Sequence, residues 1–434
     1  PGLDRLIPPS LAHWRPLLTE GLAFFLAQLP PNRQIELVNE QLALASSANG
    51  DTARRLVALL TQCPTLHKLG QVIARHPRLD PDLRRQLQQL ESLPSTTDPT
   101  RLATRIAEEL LRYHGPGSLN EIEIGQTPLA EGSVAVVTPF QFTRQGKRQE
   151  GVFKLLKPGI REQLDTELGI LVTLAPWLET RSLELGLPPV DYVDLLQTVH
   201  RLMMSEVRLD LEQHHLSLAA RQHERLQQVT IPRLLPWCTP NMTAMTRIHG
   251  QKITDAILSP GQRQHLANTL ISALLGHVFW NRDEYAMVHA DLHAGNLFVT
   301  DDGQLAVLDW SLTATLTRAH RQALVSIVLG GILLDAARIR QAVAELSSLE
   351  ADDTRLGHHV EAALDRIVLQ GQTPGFDWLL KLFDDLALHA SASFWDDFVL
   401  LRKSWQSLSG VIHDLAGKNT SPDPQLTRLA LQSF

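Results

Sequence analysis

Residues 288–310 constrain this chain more than any other segment, because two short apolar runs there must fold back on one another with polar groups at their ends. Leu297-Phe298-Val299-Thr300 is apolar and β-prone, Asp301-Asp302-Gly303-Gln304 is a turn signal, and Leu305-Ala306-Val307-Leu308 is a second apolar run. Two such runs around Asp-Gly predict a β-hairpin. A hairpin returns the chain to its starting point, so Asn296, just before the first strand, is expected near Asp309, just after the second. An amide oxygen and a carboxylate suit magnesium, which keeps the rest of its shell for phosphates and water.

Val288-His289-Ala290-Asp291-Leu292-His293-Ala294-Gly295-Asn296 leads into this hairpin. An Asp, an Asn five residues on and a second Asp on the returning strand have the order and spacing of a kinase-type phosphoryl-transfer site. In that reading Asp291 is the base or phosphate-facing carboxylate, and Asn296 and Asp309 hold magnesium. The plain alternative is a surface hairpin with incidental polar ends; the matching order weighs against it. His289 and His293 also stand at the H-x-x-x-H spacing of some zinc sites. Zinc needs further ligands, and Gly295 and the hairpin argue against a long helix here.

With 434 residues, two or three domains and a large core are expected. Hydrophobic residues make up 44% and charged residues 20%, as in ordinary globular proteins. Net charge is −7, the pI is about 6.2, and basic residues are scattered, so no nucleic-acid partner is expected. Two cysteines, Cys63 and Cys238, fit a reducing compartment and a cytoplasmic location. The chain starts at Pro1, so a native start upstream is expected, and no signal peptide is visible. The apolar run from Ala323 to Leu334 is too short for a bilayer, which needs roughly 20 residues, and reads as a buried helix.

Residues 1–118 read as a helical region, with Leu56, Leu59 and Leu60 on one face and breaks at Pro30-Pro31 and from Ser46 to Asp51. From about 120 to 156 the pattern changes to strands, Ser133–Thr138 and Gly151–Leu156, with a turn over Arg144–Arg148. Helices are expected from about 161 to 228, broken at Pro188-Pro189. Short strands follow at Val229–Pro232 and Met242–Met245. After Gly250 the chain reads as helical apart from the site hairpin. The expected fold is therefore α+β, mostly helical and two-lobed like a protein kinase. Its parts are an N-terminal helical extension (1–118), a small lobe with inserted helices (119–250) and a helical large lobe carrying the hairpin (251–434), with the ATP cleft between the lobes.

The strand lysine Lys154 is the candidate partner of the α and β phosphates; an exposed strand lysine is the alternative. The preceding loop, Ala130-Glu131-Gly132-Ser133, can lie over phosphates and offer backbone N–H groups. Glu212, on a helix expected over 203–220, is the first choice to pair with Lys154; Glu206 competes with it, and a solvated helix face is the alternative for both. Adenine is expected to meet backbone near Met245, where the strand leads into Arg247-Ile248-His249-Gly250.

These pieces resemble the AarF/UbiB family of atypical kinases, which support ubiquinone biosynthesis in many organisms. Lys68-Leu69-Gly70-Gln71 reads as that family's K-x-G-Q motif, followed by Pro81 and by Leu87-Gln88-Gln89-Leu90-Glu91. Lys154 falls three residues before Lys157-Pro158-Gly159-Ile160, similar to the family's lysine followed by R-P-G. Glu206 and Glu212 fit its E-x-D-x-x-x-E pattern, and His289-Ala290-Asp291 through Asn296 fits its H-x-D-x-x-x-x-N. The resemblance covers about residues 66–312. It implies a kinase lobe pair in which the helical extension carries Lys68 and Gln71 over the cleft as gating residues; with Arg208 where the family has Asp, either Lys68 pairs only with Glu206 or that contact is rebuilt. It also implies ATP or ADP and Mg²⁺ as cofactors, and ATP hydrolysis coupled to a lipid-derived or quinone-precursor small molecule, with peripheral contact to an inner membrane. The chain departs from the pattern at four places: Arg208 for the family's Asp, Ala130-Glu131-Gly132-Ser133 for an alanine-rich loop, Asp309-Trp310-Ser311 at the D-F-G position, and Thr138 for a histidine.

Three functions compete. The first is a UbiB-like ATPase or kinase acting on or beside a lipid-derived molecule. The second is a small-molecule phosphotransferase of the aminoglycoside or choline kinase type, which Leu292–Asn296 and Leu308-Asp309-Trp310 resemble but which lacks the K-L-G-Q helix. The third is a pseudokinase scaffold, against which Lys154, Asp291, Asn296 and Asp309 argue. No A-P-E-like segment follows Asp309, so a peptide platform is not expected. The phosphoryl acceptor, the oligomeric state and the role of residues 320–434, with Trp378, Trp395 and Trp405, are not legible.

Overall fold

The computed structural model describes residues 9–46, 55, 58–60, 62–74, 98–188, 190–390, 392–417, 422–426 and 428. Ser47–Asp51, Leu56, Pro81, Leu87–Glu91 and Pro189 lie outside the described residues, as does the side chain of Gln71. The chain divides into two compact units, Pro1–Gln213 with Leu234–Arg247, and His214–Arg233 with Ile248–Phe434.

The first unit opens with helices α1 (Arg15–Gln28), α2 (Pro31–Ala45), α3 (Pro64–Ala74) and α4 (Pro99–His114). Its sheet runs β1 (Ile122–Ile124), β3 (Ala135–Arg144), β4 (Lys147–Leu156), β6 (Met242–Thr246), and β2 (Ala130–Glu131) pairs with β3. The strands β3 and β4 are longer than their apolar cores suggest. They meet at a two-residue turn, Gln145-Gly146, with φ of 53° and 73° and Arg144 paired to Lys147. Positive φ at both turn residues gives the twist that joins antiparallel strands tightly. Helix α4 starts at an Asp98 cap accepting from Thr100 N. Its Leu102, Ile106 and Leu110, spaced by four, cover one face of the sheet together with Phe140, Phe153 and Leu155. Because strand side chains alternate, Lys154 projects from the other face. A second core packs α1, α2 and α3 on α5 (Ile160–Glu184) and α6 (Tyr192–Glu206), through Phe25, Leu37, Leu66, Leu164 and Met203.

The single helix expected over 203–220 is two. Helix α6 ends at Glu206 and α7 (Leu209–Gln222) begins after Arg208, whose carbonyl accepts from Leu211 and Glu212 N–H. The break puts Glu206 at a helix end and Glu212 in a first turn, so the two carboxylates are aimed by different helices.

The second unit has a sheet ordered β5 (Val229–Thr230), β10 (Leu305–Val307), β9 (Leu297–Thr300), β7 (Gly250–Lys252), and a two-stranded sheet of β8 (Tyr285–His289) and β11 (Thr313–Thr317). The expectation of helix everywhere outside the hairpin is corrected here: β7, β8 and β11 are strands. Thr313–Thr317 alternates threonine with buried Ala314 and Leu316, a period of two that a short window conceals among helical neighbours. Helices α8 (Pro260–Ile271), α9 (Arg318–Leu333), α10 (Ala336–Ala344), α11 (Thr354–Gln370), α12 (Phe376–His389) and α13 (Phe398–Ala416) complete the unit. Trp378 and Trp405 are fully buried in it.

Candidate phosphoryl-transfer site

In the second unit β9 and β10 pair Val307 with Leu297 and Leu305 with Val299. Beyond the last pair, Leu308 N–H donates to the Asn296 carbonyl at 2.8 Å. Asn296 and the residue preceding Asp309 are thus main-chain neighbours. The Asn296 amide nitrogen donates to the Asp291 carbonyl at 3.2 Å, which leaves its amide oxygen as the atom suited to a cation. Asp309 has φ of 50°, a left-handed conformation that short polar side chains tolerate best among non-glycine residues. Its Oδ1 accepts from Ser311 N–H at 3.2 Å, so the local turn replaces the glycine of a D-F-G segment.

His289 is fully buried. Its Nδ1 accepts from Asp291 N–H at 3.2 Å, which leaves Nε2 to donate to the Leu308 carbonyl at 3.0 Å. Those partners assign the neutral Nε2–H tautomer, and burial lowers its pKa. One ring thereby ties the start of the Asp291 loop to the end of β10. Trp310 packs edge-on against it at 4.7 Å and donates to the Val307 carbonyl. His215 Nδ1 donates to the Trp310 carbonyl at 3.2 Å, and its pKa is lowered by burial. Both nitrogens of His289 are used, and His293 Nδ1 accepts from Gly295 N–H. Among the described residues no group of three or more His, Cys, Asp or Glu could hold a metal ion.

The Asp291 carboxylate has a partner that the sequence did not disclose. Lys403 Nζ, on α13, donates to Asp291 Oδ1 at 2.9 Å, and His293 Nε2 stands 3.8 Å from Oδ2. The next residue on α13, Ser404, donates its hydroxyl to the His289 carbonyl at 2.7 Å. A lysine 112 positions from its partner gives no local signal.

In the first unit, Lys154 Nζ and Glu212 Oε1 are 2.8 Å apart, with side chains 12% and 2% exposed. Glu206 pairs instead with Lys68 of the K-L-G-Q helix and accepts from the Ser133 hydroxyl at 3.1 Å. Glu131 pairs with Lys157 at 2.7 Å. The Ala130–Ser133 loop is therefore tied at both ends by charged groups. Arg208 grips Asp210 with two contacts of 2.9 and 2.8 Å and is half exposed. Its positive charge is thus met locally, and Lys68 still docks on Glu206. Thr138, in the place of a family histidine, is buried in the sheet. Met245 pairs with Val152 on one side and bridges to Leu234 on the other, so its main chain is engaged inside the sheet.

Residues 115–343, more than half of the chain, match the model of the ABC1 atypical kinase-like domain. A probable protein kinase UbiB of Pseudomonas fluorescens (strain Pf0-1) is 26% identical over 393 residues, 87% of this chain and 70% of that protein. An uncharacterized aarF domain-containing protein kinase of Arabidopsis thaliana, described as chloroplastic, is 27% identical over 258 residues, 58% of this chain and 46% of that one. The chain thus spans between about half and seven-tenths of the length of these relatives. Among solved structures, the erythromycin complex of Rv3197 from Mycobacterium tuberculosis aligns with a TM-score of 0.50 at 15% identity, covering 81% of this chain and 87% of that one.

Proposed function

Since the chain belongs to the ABC1 atypical kinase-like family and has its two-lobed kinase-like fold, we propose that it is an Mg-ATP-dependent kinase or ATPase acting on, or beside, a lipid-derived small molecule such as a quinone precursor. The observation that carries this reading is the hairpin closure that brings Asp291, Asn296 and the strand end before Asp309 together through main-chain and amide hydrogen bonds.

The donor set fits magnesium: one amide oxygen and one carboxylate, both hard ligands, with room for phosphate oxygens. Asn296 and Asp309 would hold the ion, which supplies charge neutralisation at the phosphates when bound. Lys154, held by Glu212, serves the α and β phosphates. Asp291 orients the acceptor oxygen and takes its proton. The neutral His289 keeps the Asp291 loop in register with Asp309 without adding a charge. Lys68 on Glu206 holds the Ala130–Ser133 loop through Ser133, which favours this family's gated chemistry over a small-molecule phosphotransferase without such a helix. Among the described residues no helix is long and apolar enough to cross a membrane; contact with an inner membrane through the lipid-derived partner belongs to this proposal.

The test is turnover of γ-labelled ATP with magnesium, alone and with short-chain quinone precursors or lipid vesicles. Product analysis separates free phosphate from a phosphorylated acceptor. Asp291→Asn should lower turnover by about a hundredfold or more. Equal turnover in the variant would remove Asp291 from the chemistry, and no turnover under any condition would favour a scaffold.

A further inference from the structure

We infer that Lys403 is a catalytic residue of this site: the cation, supplied by the C-terminal helix α13, that neutralises the phosphoryl group as it transfers. The inference deepens the proposed function and rests on it. The loop from Ala290 to Asn296 contains no lysine or arginine, so an ammonium or guanidinium beside Asp291 has to come from another element of the fold. Lys403 reaches in from α13 to Asp291 Oδ1 at 2.9 Å. Its side chain is 27% exposed, so it is only partly buried.

The geometry separates two jobs on one helix. Ser404 donates to the His289 carbonyl and ties α13 to the start of the loop, while Trp405 packs in the core against Phe279 and Phe376. Lys403 places its charge on the Asp291 carboxylate. In the reaction the bond between the γ-phosphorus and its bridging oxygen breaks, and ADP leaves with the electron pair. The acceptor oxygen, from water or a hydroxyl, bonds to phosphorus, and its proton passes to Asp291. In this proposal the acceptor oxygen lies in hydrogen-bond reach of Asp291 and about 3 Å from phosphorus, and Lys403, held on the same carboxylate, is the ammonium that would meet the phosphoryl oxygens. Lys403 exchanges no proton; it offsets charge that develops during transfer, an effect that acts on the transition state rather than on nucleotide binding.

The experiment compares wild type, Lys403→Met, Lys403→Arg and, as a control on the same helix, Arg402→Met, whose guanidinium pairs with Asp384. Turnover should fall about a hundredfold or more in Lys403→Met, recover in part in Lys403→Arg, and stay near wild type in Arg402→Met. Thermal shifts with Mg-ADP and with Mg-ADP plus aluminium fluoride, a planar phosphoryl mimic, give a readout independent of turnover. All variants should keep the Mg-ADP shift, and only Lys403→Met should lose the increment due to fluoride. A fluoride increment retained in Lys403→Met, or absent from wild type that binds Mg-ADP, overturns the role of Lys403 while leaving the nucleotide reading intact. No Mg-ADP shift in wild type overturns both. A parallel loss in Arg402→Met means that α13 only braces the loop, and also overturns it.

Discussion

Acidification should unlock the second unit through His223. This ring is buried, and its Nδ1 donates to the Ala219 carbonyl at 2.9 Å. Trp310 and His277 lie 5.6 Å away by ring centroids. Burial lowers the His223 pKa from 6.5 to about 4, with His277 and His289 adding like-charge repulsion and the Ala219 carbonyl partly opposing. The folded state therefore binds fewer protons than the unfolded chain between these two values, and stability rises with pH across that window. The contribution is intact above about pH 6.5, falls as pH drops through it, and is fully lost below about pH 4. The whole shift corresponds to about 3 kcal/mol, of which about 2 kcal/mol disappears between pH 7 and pH 5. The lowered pKa of His289 acts in the same direction. Imidazole nitrogen shifts by NMR should show one ring, absent from His223→Gln, titrating well below pH 6. Urea unfolding at pH 7 and 5 should show wild type losing about 2 kcal/mol more than His223→Gln. A His223 midpoint near 6.5, or equal losses in both proteins, would show that burial does not hold this ring neutral.

Three further outcomes follow from packing and charge. Glu212→Leu leaves the Lys154 ammonium in a mostly buried place without that carboxylate and should cost the first unit about 3 kcal/mol by urea unfolding; Lys154→Met with Glu212→Leu should cost less than Glu212→Leu alone. Gly331→Ala should destabilise by about 1–3 kcal/mol despite the better helix former, because the added Cβ would lie 2.9 Å from Pro374 Cβ and 3.0 Å from Trp378 Cη2. Gly169→Ala, also in a helix but with nothing within 4 Å of the added carbon, should instead stabilise by up to about 1 kcal/mol; thermal melts of the two variants give opposite signs if this holds.

What the sequence made legible was local. Asp-Gly between two apolar runs defined the hairpin, and with it the neighbourhood of Asn296 and Asp309. The break at Gly115-Pro116 marked the change from helices to strands, and Pro30-Pro31 and Pro188-Pro189 marked breaks between helices; alternation along β4 sets Lys154 on the face away from Phe153 and Leu155. The choice of Glu212 over Glu206 was open on sequence alone, because both fall within the stretch that reads as one continuous helix; the interruption at Arg208 aims them differently. The strand Thr313–Thr317 escaped because five residues of alternating threonine sit beside a strongly helical run. Lys403 and Ser404 escaped for a different reason: their partners are more than a hundred residues away, and a lysine on an amphipathic helix reads as solvated until the fold places a carboxylate beside it. The response to Arg208 was likewise invisible, since Asp210 meets its charge two residues on only once the helix start is fixed.

The proposed function requires Asn296 and Asp309 to hold one magnesium ion together with phosphate. Calorimetric titration of ADP into wild type and Asp309→Asn, each with and without magnesium, tests this most directly. Wild type should bind nucleotide more tightly when magnesium is present, and Asp309→Asn should lose that dependence while its circular dichroism and melting profile stay as in wild type. Nucleotide binding with the same magnesium dependence in both proteins would contradict the assignment.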